Sequence, residues 1–178
     1  MRKAKWFIVG IFLLVLFFFA ITLLLPSKVT VTKSIIIDAS FQKVNEQISN
    51  FSNWKNWFPA FSDEQTQMKL STLENHPSAT IQDKNGHEVV FTIVSSEAGK
   101  IDIDIDANKK QSITYQFMIV SNNNPGVQVI WNVNTDLGWY PWKRVQGIMM
   151  DKLTGPEYEL ALQNLRKACG DISVPANP

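Results

Sequence analysis

The sequence predicts an α+β fold in which a curved, seven-stranded antiparallel sheet is closed by a long C-terminal helix, with one membrane-spanning helix ahead of it. Three observations predict it. Between Val29 and Val133 apolar and polar residues alternate in short runs parted by turn residues, the period of half-buried strands. From Trp139 to Cys169 the period becomes helical, placing Trp142, Val145, Met149 and Leu153 on one face and Lys143, Arg144 and Asp151 elsewhere. From Trp6 to Leu25 twenty residues carry no charge.

With 178 residues and 45% hydrophobic content, the chain suits one globular domain plus an extra segment. The net charge of +1 conceals an asymmetry, because Arg2, Lys3 and Lys5 crowd the N-terminus and leave 14 basic against 16 acidic side chains in the rest. A slightly acidic body argues against nucleic acid, which needs a concentrated basic face. Cys169 is the single cysteine, so an intrachain disulfide and a thiolate metal cluster are both excluded. The domain must be held by its core.

The uncharged run from Trp6 to Leu25, as a helix, spans roughly 30 Å, the thickness of a bilayer's hydrocarbon core. A cleaved signal peptide is the competing reading, but its apolar region is shorter and ends in a small-x-small site; here Leu23-Leu24-Leu25-Pro26 closes the run. The expected organisation is a cytoplasmic basic tail over 1–5, a transmembrane anchor over 6–25, a domain over 28–170 and a flexible tail over 171–178. The basic tail puts the N-terminus in the cytoplasm and the domain on the outer side, periplasmic or extracellular. Pro26 stops the helix.

Val29, Val31, Ile35 and Ile37 read as a first strand, starting within a few residues of the bilayer. Asp38 to Ser40 supplies helix-starting chemistry, and Phe41, Val44, Ile48 and Phe51 recur at helical spacing. The aromatic knot Trp54-Lys55-Asn56-Trp57-Phe58-Pro59 fits a second short helix turned inward. Gln67 to Thr72 and Ser78 to Asp83 are weak strands, with a hairpin turn at Asp83-Lys84-Asn85-Gly86. Val89, Phe91 and Ile93 alternate in the next strand, and Ile101, Ile103 and Ile105 in the one after it. Asp102, Asp104 and Asp106 line the opposite face of that strand; lacking the glycine and terminal glutamate of a calcium loop, they read as a solvated face. Ile113, Tyr115, Phe117 and Ile119 form another strand, Asn122 to Gly126 a turn, and Val127, Val129, Trp131 and Val133 the last strand.

The C-terminal helix changes face. Beyond Gly155-Pro156 its apolar residues are Tyr158, Ala161, Leu162, Leu165 and Cys169, offset by roughly 170° from the first stripe on an ideal helix. A kink near Thr154-Pro156 is expected, with the first half roofing a cavity and the second clamping the sheet.

No nucleophile elbow, HExxH, phosphate loop, CxxC or dinucleotide fingerprint is present, and His76 and His87 lie in or beside predicted turns. No catalytic residue, metal site or cofactor is assigned. A sheet with an aromatic concave side under a helix encloses an apolar pocket, and its expected lining is Trp54, Trp57, Phe91, Ile103, Phe117, Trp131, Met149 and Leu153. The expected partners are the lipid bilayer and a hydrophobic or lipid-like small molecule.

The order of strand, two short helices, six strands and a long helix resembles the helix-grip fold of the START/SRPBCC superfamily, the polyketide cyclase-like and lipid-transfer proteins. The resemblance is carried by Ile35-Ile36-Ile37-Asp38-Ala39-Ser40, the Trp54 to Pro59 knot, Val129-Ile130-Trp131, and Leu153-Thr154-Gly155-Pro156-Glu157-Tyr158-Glu159 with Leu162 and Leu165. It covers about Lys28 to Cys169 and is similar to members with an N-terminal membrane anchor. One fold hosts many functions. The alternatives it leaves to ligand binding are a cyclase or hydrolase type of enzyme and a membrane-surface interaction domain with a collapsed cavity.

Overall fold

The computed structural model describes residues 2–63, 66–82, 86–107, 112–121 and 126–170, with side chains from residue 6 onward. The expected turns at Asp83 to Gly86 and Asn122 to Gly126, apart from their glycines, lie outside the described residues, as does the tail from 171. In chain order the elements are α1 (Arg2–Leu23), β1 (Lys28–Ile37), α2 (Phe41–Ser49), a 3-10 helix (Phe51–Asn56), α3 (Pro59–Ser62), β2 (Gln67–Leu73), β3 (His76–Gln82), β4 (Glu88–Glu97), β5 (Lys100–Ala107), β6 (Ser112–Ser121), β7 (Val127–Asp136), α4 (Pro141–Ile148) and α5 (Met150–Ala168). The fold is α+β.

All seven strands form one antiparallel sheet in the order β1-β7-β6-β5-β4-β3-β2. Strands β2 to β7 run as a meander, and β1 closes it by pairing with β7 from Lys28 opposite Asp136 to Ile37 opposite Val127. A register shift between Ile93 and Ser95 bulges β4, and bulges bend a sheet toward one face. Two hairpins turn on residue pairs with positive φ at both positions, Glu74-Asn75 and Ala98-Gly99, the geometry that matches strand twist. Gly99 is also a close approach: a Cβ there would lie 2.8 Å from the Phe41 ring, so the β4–β5 turn seats directly under α2.

Alternation puts one side of each strand inward. Ile101, Ile103 and Ile105 are buried, while Asp102 and Asp104 point out and accept hydrogen bonds from Gln116 and Thr114 on β6. Ser40 caps α2 by accepting from the Lys43 N–H, and Asn50 caps the 3-10 helix through the Ser52 N–H. These short helices lay Val44, Ile48, Phe51 and Trp54 onto the concave face. From the other side α5 brings Tyr158, Ala161, Leu162, Leu165 and Cys169 onto it.

The C-terminal helical segment does divide, but not at Thr154 to Pro156. It breaks at Met149, and α5 runs without interruption through Gly155 and Pro156. Pro156 removes only one backbone donor on an exposed turn, and Thr154 bonds back to the Met150 carbonyl at 2.9 Å, so this stretch stays helical. The break is set by what each half rests on. α5 lies along β1, where Lys33 bridges Asp151 at 3.1 Å and Glu159 at 2.7 Å across Gly155. α4 is held elsewhere, against Leu137, Val29 and the end of α1.

α1 is the exception to burial. Its Trp6–Leu23 segment has a mean hydropathy of 2.8, and only 6% of it is covered.

Candidate functional site

The space between sheet and α5 is an aromatic cluster assembled from six elements. The 3-10 helix supplies Trp54, and Trp57 and Phe58 follow it; α3 supplies Phe61. β4 supplies Phe91, β6 Tyr115 and Phe117, β7 Trp131, and α5 Tyr158. The rings meet mainly edge to face, as ring quadrupoles favour: Trp54 lies 5.0 Å from Phe51, 5.2 Å from Phe61 and 5.8 Å from Phe91. Trp131 is stacked on Phe117 at 4.8 Å and flanked by Tyr158 at 4.9 Å and Tyr115 at 5.0 Å.

The polar atoms in this cluster are few and unequal. Trp54 Nε1 donates to the Ile48 carbonyl at 2.8 Å and Trp57 Nε1 to the Gln47 carbonyl at 3.1 Å, tying the knot to α2. Trp131 Nε1 is fully buried and has no partner. An unmade hydrogen bond of that kind costs about 1–3 kcal/mol. Beside it the Tyr115 and Tyr158 hydroxyls are hydrogen-bonded to one another, and Tyr158 also to Thr154.

Burial, reinforced by the neighbouring Tyr158, holds the Tyr115 phenol well above its ordinary range. Burial likewise raises Tyr158, against the opposing pull of its hydrogen bonds to Tyr115 and Thr154. Both are therefore neutral at physiological pH and serve as hydrogen-bonding groups, not as bases. Among the described residues no charged side chain is buried, and no three His, Cys, Asp or Glu side chains converge as metal ligands.

The eight residues expected to line a cavity divide six to two. Trp54, Trp57, Phe91, Ile103, Phe117 and Trp131 all lie in the buried cluster. Met149 and Leu153 do not: they are 54% and 69% exposed and face away from the sheet. The expectation that their stripe roofs the interior is corrected: Met149 lies at the break between α4 and α5, and α5 packs through Gly155, Tyr158, Ala161, Leu162 and Leu165, which leaves Leu153 outside. Tyr115, Phe58, Phe61 and Tyr158 were not among the eight. Their signal was present, since Tyr115 alternates with Phe117 and Tyr158 opens the second helical stripe, but only the fold brings them together.

Among the described residues the rings of this cluster are buried and in mutual contact. A cleft of about 330 Å³ reaches its rim, walled by Pro59 and Ala60 of α3, Ile81 of β3, Val89 of β4 and Glu157 of α5, with His87 and Asp63 at its edge. Two of these wall residues adjoin members of the cluster in sequence: Phe58 precedes Pro59, and Tyr158 follows Glu157. Both rings touch Trp131, Phe58 at 5.8 Å. A larger cleft of about 450 Å³ lies on the outer side of the sheet, among Leu73, Val90, Val94 and Asp104.

A family model described as polyketide cyclase/dehydrase and lipid transport matches residues 28–170. No curated protein matches the chain. Among solved structures, one of a protein of unknown function from Staphylococcus aureus is similar with a TM-score of 0.65 at 14% identity, covering 80% of this chain and 94% of that one. The di-domain ARO/CYC StfQ of the steffimycin biosynthetic pathway aligns with a TM-score of 0.60 at 10% identity, over 80% of this chain and 51% of its own. A truncated norcoclaurine synthase from Thalictrum flavum aligns at 0.55 and 11% identity, over 83% and 96%. At such identities the likeness is one of fold.

Proposed function

The chain belongs to the polyketide cyclase/dehydrase and lipid transport family, and we propose that it is a membrane-anchored member that binds a hydrophobic small molecule between its sheet and α5. The observation that carries this reading is the orphaned Trp131 Nε1, buried in an aromatic cluster next to two neutral phenols. A ligand with an apolar body and one hydrogen-bond acceptor, such as a carbonyl or hydroxyl oxygen, satisfies that donor and recovers its desolvation cost.

The rim cleft is the proposed mouth. Its wall residues flank Phe58 and Tyr158, so a rotation of these two rings opens a way to Trp131. α5 presses chiefly on β1 and touches α3 lightly, which leaves the α3 side of the lid the easier one to part. The remaining binding assignments are Trp54, Trp57, Phe91, Ile103 and Phe117 as the floor.

Anchoring is proposed through α1. Its 22 residues rise about 33 Å, enough to cross a bilayer, and its apolar surface is bare. The basic residues before it favour a cytoplasmic N-terminus and a domain on the outer side.

Two of the proteins of similar fold are named as an ARO/CYC and a synthase, but acid–base chemistry needs a titrating group near neutrality, and none is buried in this interior among the described residues. Binding is the better fit. The mutual contact of the buried rings does favour one second reading, a packed interaction domain with no ligand. The two part on one experiment: the full chain, purified in lipid nanodiscs, is examined by native mass spectrometry and by displacement of anilinonaphthalene sulfonate. Binding predicts a retained hydrophobe or a displaced dye, weakened about tenfold in Trp131→Phe, which keeps the ring and deletes the donor. No retained hydrophobe and no displacement would support the packed domain.

A further inference from the structure

The apolar stripe of α4, which sequence periodicity assigns to the interior, is on the outside of the molecule, and the reason lies in two small residues. Pro141 and Gly147 form the buried side of α4. A Cβ on Gly147 would strike Leu137 Cδ1 and lie 2.9 Å from Val29 Cγ2, so the helix backbone itself is pressed onto the end of the sheet. With that face committed to backbone contact, Trp142, Ile148 and Met149 turn outward, 61%, 66% and 54% exposed. Trp139 and Tyr140 stack at 4.6 Å just ahead of the helix, and Tyr140 lies 5.1 Å from Trp142. Large aromatic and aliphatic side chains gathered on one exposed face mark a contact surface.

The same structure says what the surface meets. α4 packs beside α1, and the Arg144 guanidinium donates from Nη1 to the Leu23 and Leu25 carbonyls at 2.8 and 3.1 Å. These are carbonyls left without partners at the end of a helix, where a cation is favoured. Arg144 Nε also donates to the Gly138 carbonyl at 3.2 Å, and the Leu137 N–H to the Ser27 carbonyl at 2.8 Å. The start of the domain, the turn before α4 and the end of α1 are thus locked together. Only five residue steps separate Leu23 from Lys28, a reach under about 20 Å. The exposed face of α4 is therefore held beside the end of the bare apolar helix α1.

We propose that α4 and the Trp139-Tyr140 turn form an interfacial foot that lies in the headgroup zone of the leaflet on the domain's side, seating the domain on the lipid instead of suspending it from a tether. Trp and Tyr concentrate at that depth because an aromatic body with a polar edge suits it, and a helix with one apolar face lies there in the plane of the membrane, about 5–10 Å into the boundary. The Lys143 ammonium lies 5.5 Å over the Tyr140 ring, a cation held at the aromatic group as suits the headgroup zone. The foot fixes how the domain is oriented, so that the mouth between α3 and α5 holds a constant angle to the bilayer. This inference rests on reading α1 as a membrane span, and its test separates the two.

The full chain is reconstituted in phosphatidylcholine nanodiscs, and a nitroxide is placed by Val145→Cys or Ile148→Cys, with the wild-type chain, whose Cys169 is buried, as blank. Leu14→Cys in the middle of α1 gives the deep reference and Met118→Cys on the outer face of the sheet the water reference. Relaxation by oxygen and by a water-soluble nickel chelate gives depth. The foot predicts a label at Val145 and Ile148 more accessible to oxygen than to nickel, at a depth between the two references. If Leu14 reads deep while Val145 and Ile148 match Met118, the foot is wrong and the anchor stands. Shielding of both labels from both reagents points to a protein covering the face and also overturns the lipid foot. A water-like reading at Leu14 removes anchor and foot together.

Discussion

The molecule carries two aromatic clusters of similar composition and opposite fate. In one, Trp54, Trp57, Phe117 and Trp131 are entirely buried between sheet and α5. In the other, Trp139, Tyr140 and Trp142 stack on one another at the surface beside α1. Hydrophobicity does not separate them. What does is the element that delivers each ring: alternation on β4, β6 and β7 has one inward side, whereas a helix has as many sides as residues per turn, and the side that packs is chosen by steric fit. For α4 the fit is Gly147 against Leu137 and Val29. The first cluster holds the domain together, and the second is available to something outside it.

The sharpest way to break this contrast is to truncate one ring from each cluster. Trp54→Ala removes an indole that touches six other rings and donates to Ile48, and is expected to cost about 3–5 kcal/mol in urea unfolding of the detergent-solubilised chain. Trp142→Ala is expected to stay within about 0.5 kcal/mol in the same assay, as for a surface position. Comparable losses for both would erase the distinction.

A second test reaches the residue that orients α4. Gly147→Val pushes a branched side chain onto Leu137 and Val29 and should destabilise by about 1–3 kcal/mol through overpacking. Its signature should be faster amide exchange in α4 while the strands keep their protection. Equal loss of protection throughout would mean that α4 and the core form one cooperative unit.

The third concerns the phenols. A tyrosine whose folded pKa is raised leaves the native state holding more protons than the unfolded one once pH passes the ordinary phenol value. Stability then falls as pH rises, by up to about 1.4 kcal/mol per pH unit for each such group, and is unaffected below that range. Tyr115→Phe should flatten this alkaline slope and suppress the late part of the phenolate absorbance titration. An unchanged slope would mean that Tyr115 is reached by water.

The smallest effect is expected from Lys33→Met. The Lys33 pKa is raised by its hydrogen bonds to Glu159 and Asp151, but both acids are largely exposed, and such pairs add little. The melting temperature should hardly move, with the change confined to exchange in the first turns of α5.

The sheet was readable residue by residue because a period of two is rigid: Ile101-Asp102-Ile103-Asp104-Ile105 admits only one assignment of faces. The Trp54 to Pro59 knot was readable as inward for want of any polar side to it except Lys55 and Asn56. The face of α4 was not, since Trp142, Val145, Met149 and Leu153 make the stripe that a core helix also makes, and the deciding residue was a glycine with no pattern of its own. Nor was the break at Met149. Glycine and proline at 155 and 156 are the usual breakers, yet here Gly155 serves as a seat for Lys33 and Pro156 faces solvent. The Tyr115–Tyr158 pair and the orphaned Trp131 N–H arise from three separate elements, so they exist only once the fold is closed.

The most direct measurement is the indole N–H spectrum of the full chain in nanodiscs, with the Trp131 signal assigned by its loss in Trp131→Phe. The account predicts an upfield Trp131 proton, as for a donor without an acceptor, that moves downfield when a fatty acid or a polycyclic aromatic ketone is added, while the Trp54 and Trp57 signals, already bonded to Ile48 and Gln47, stay in place. A Trp131 signal that is already downfield, or that stays unmoved by every hydrophobe tried, would contradict it.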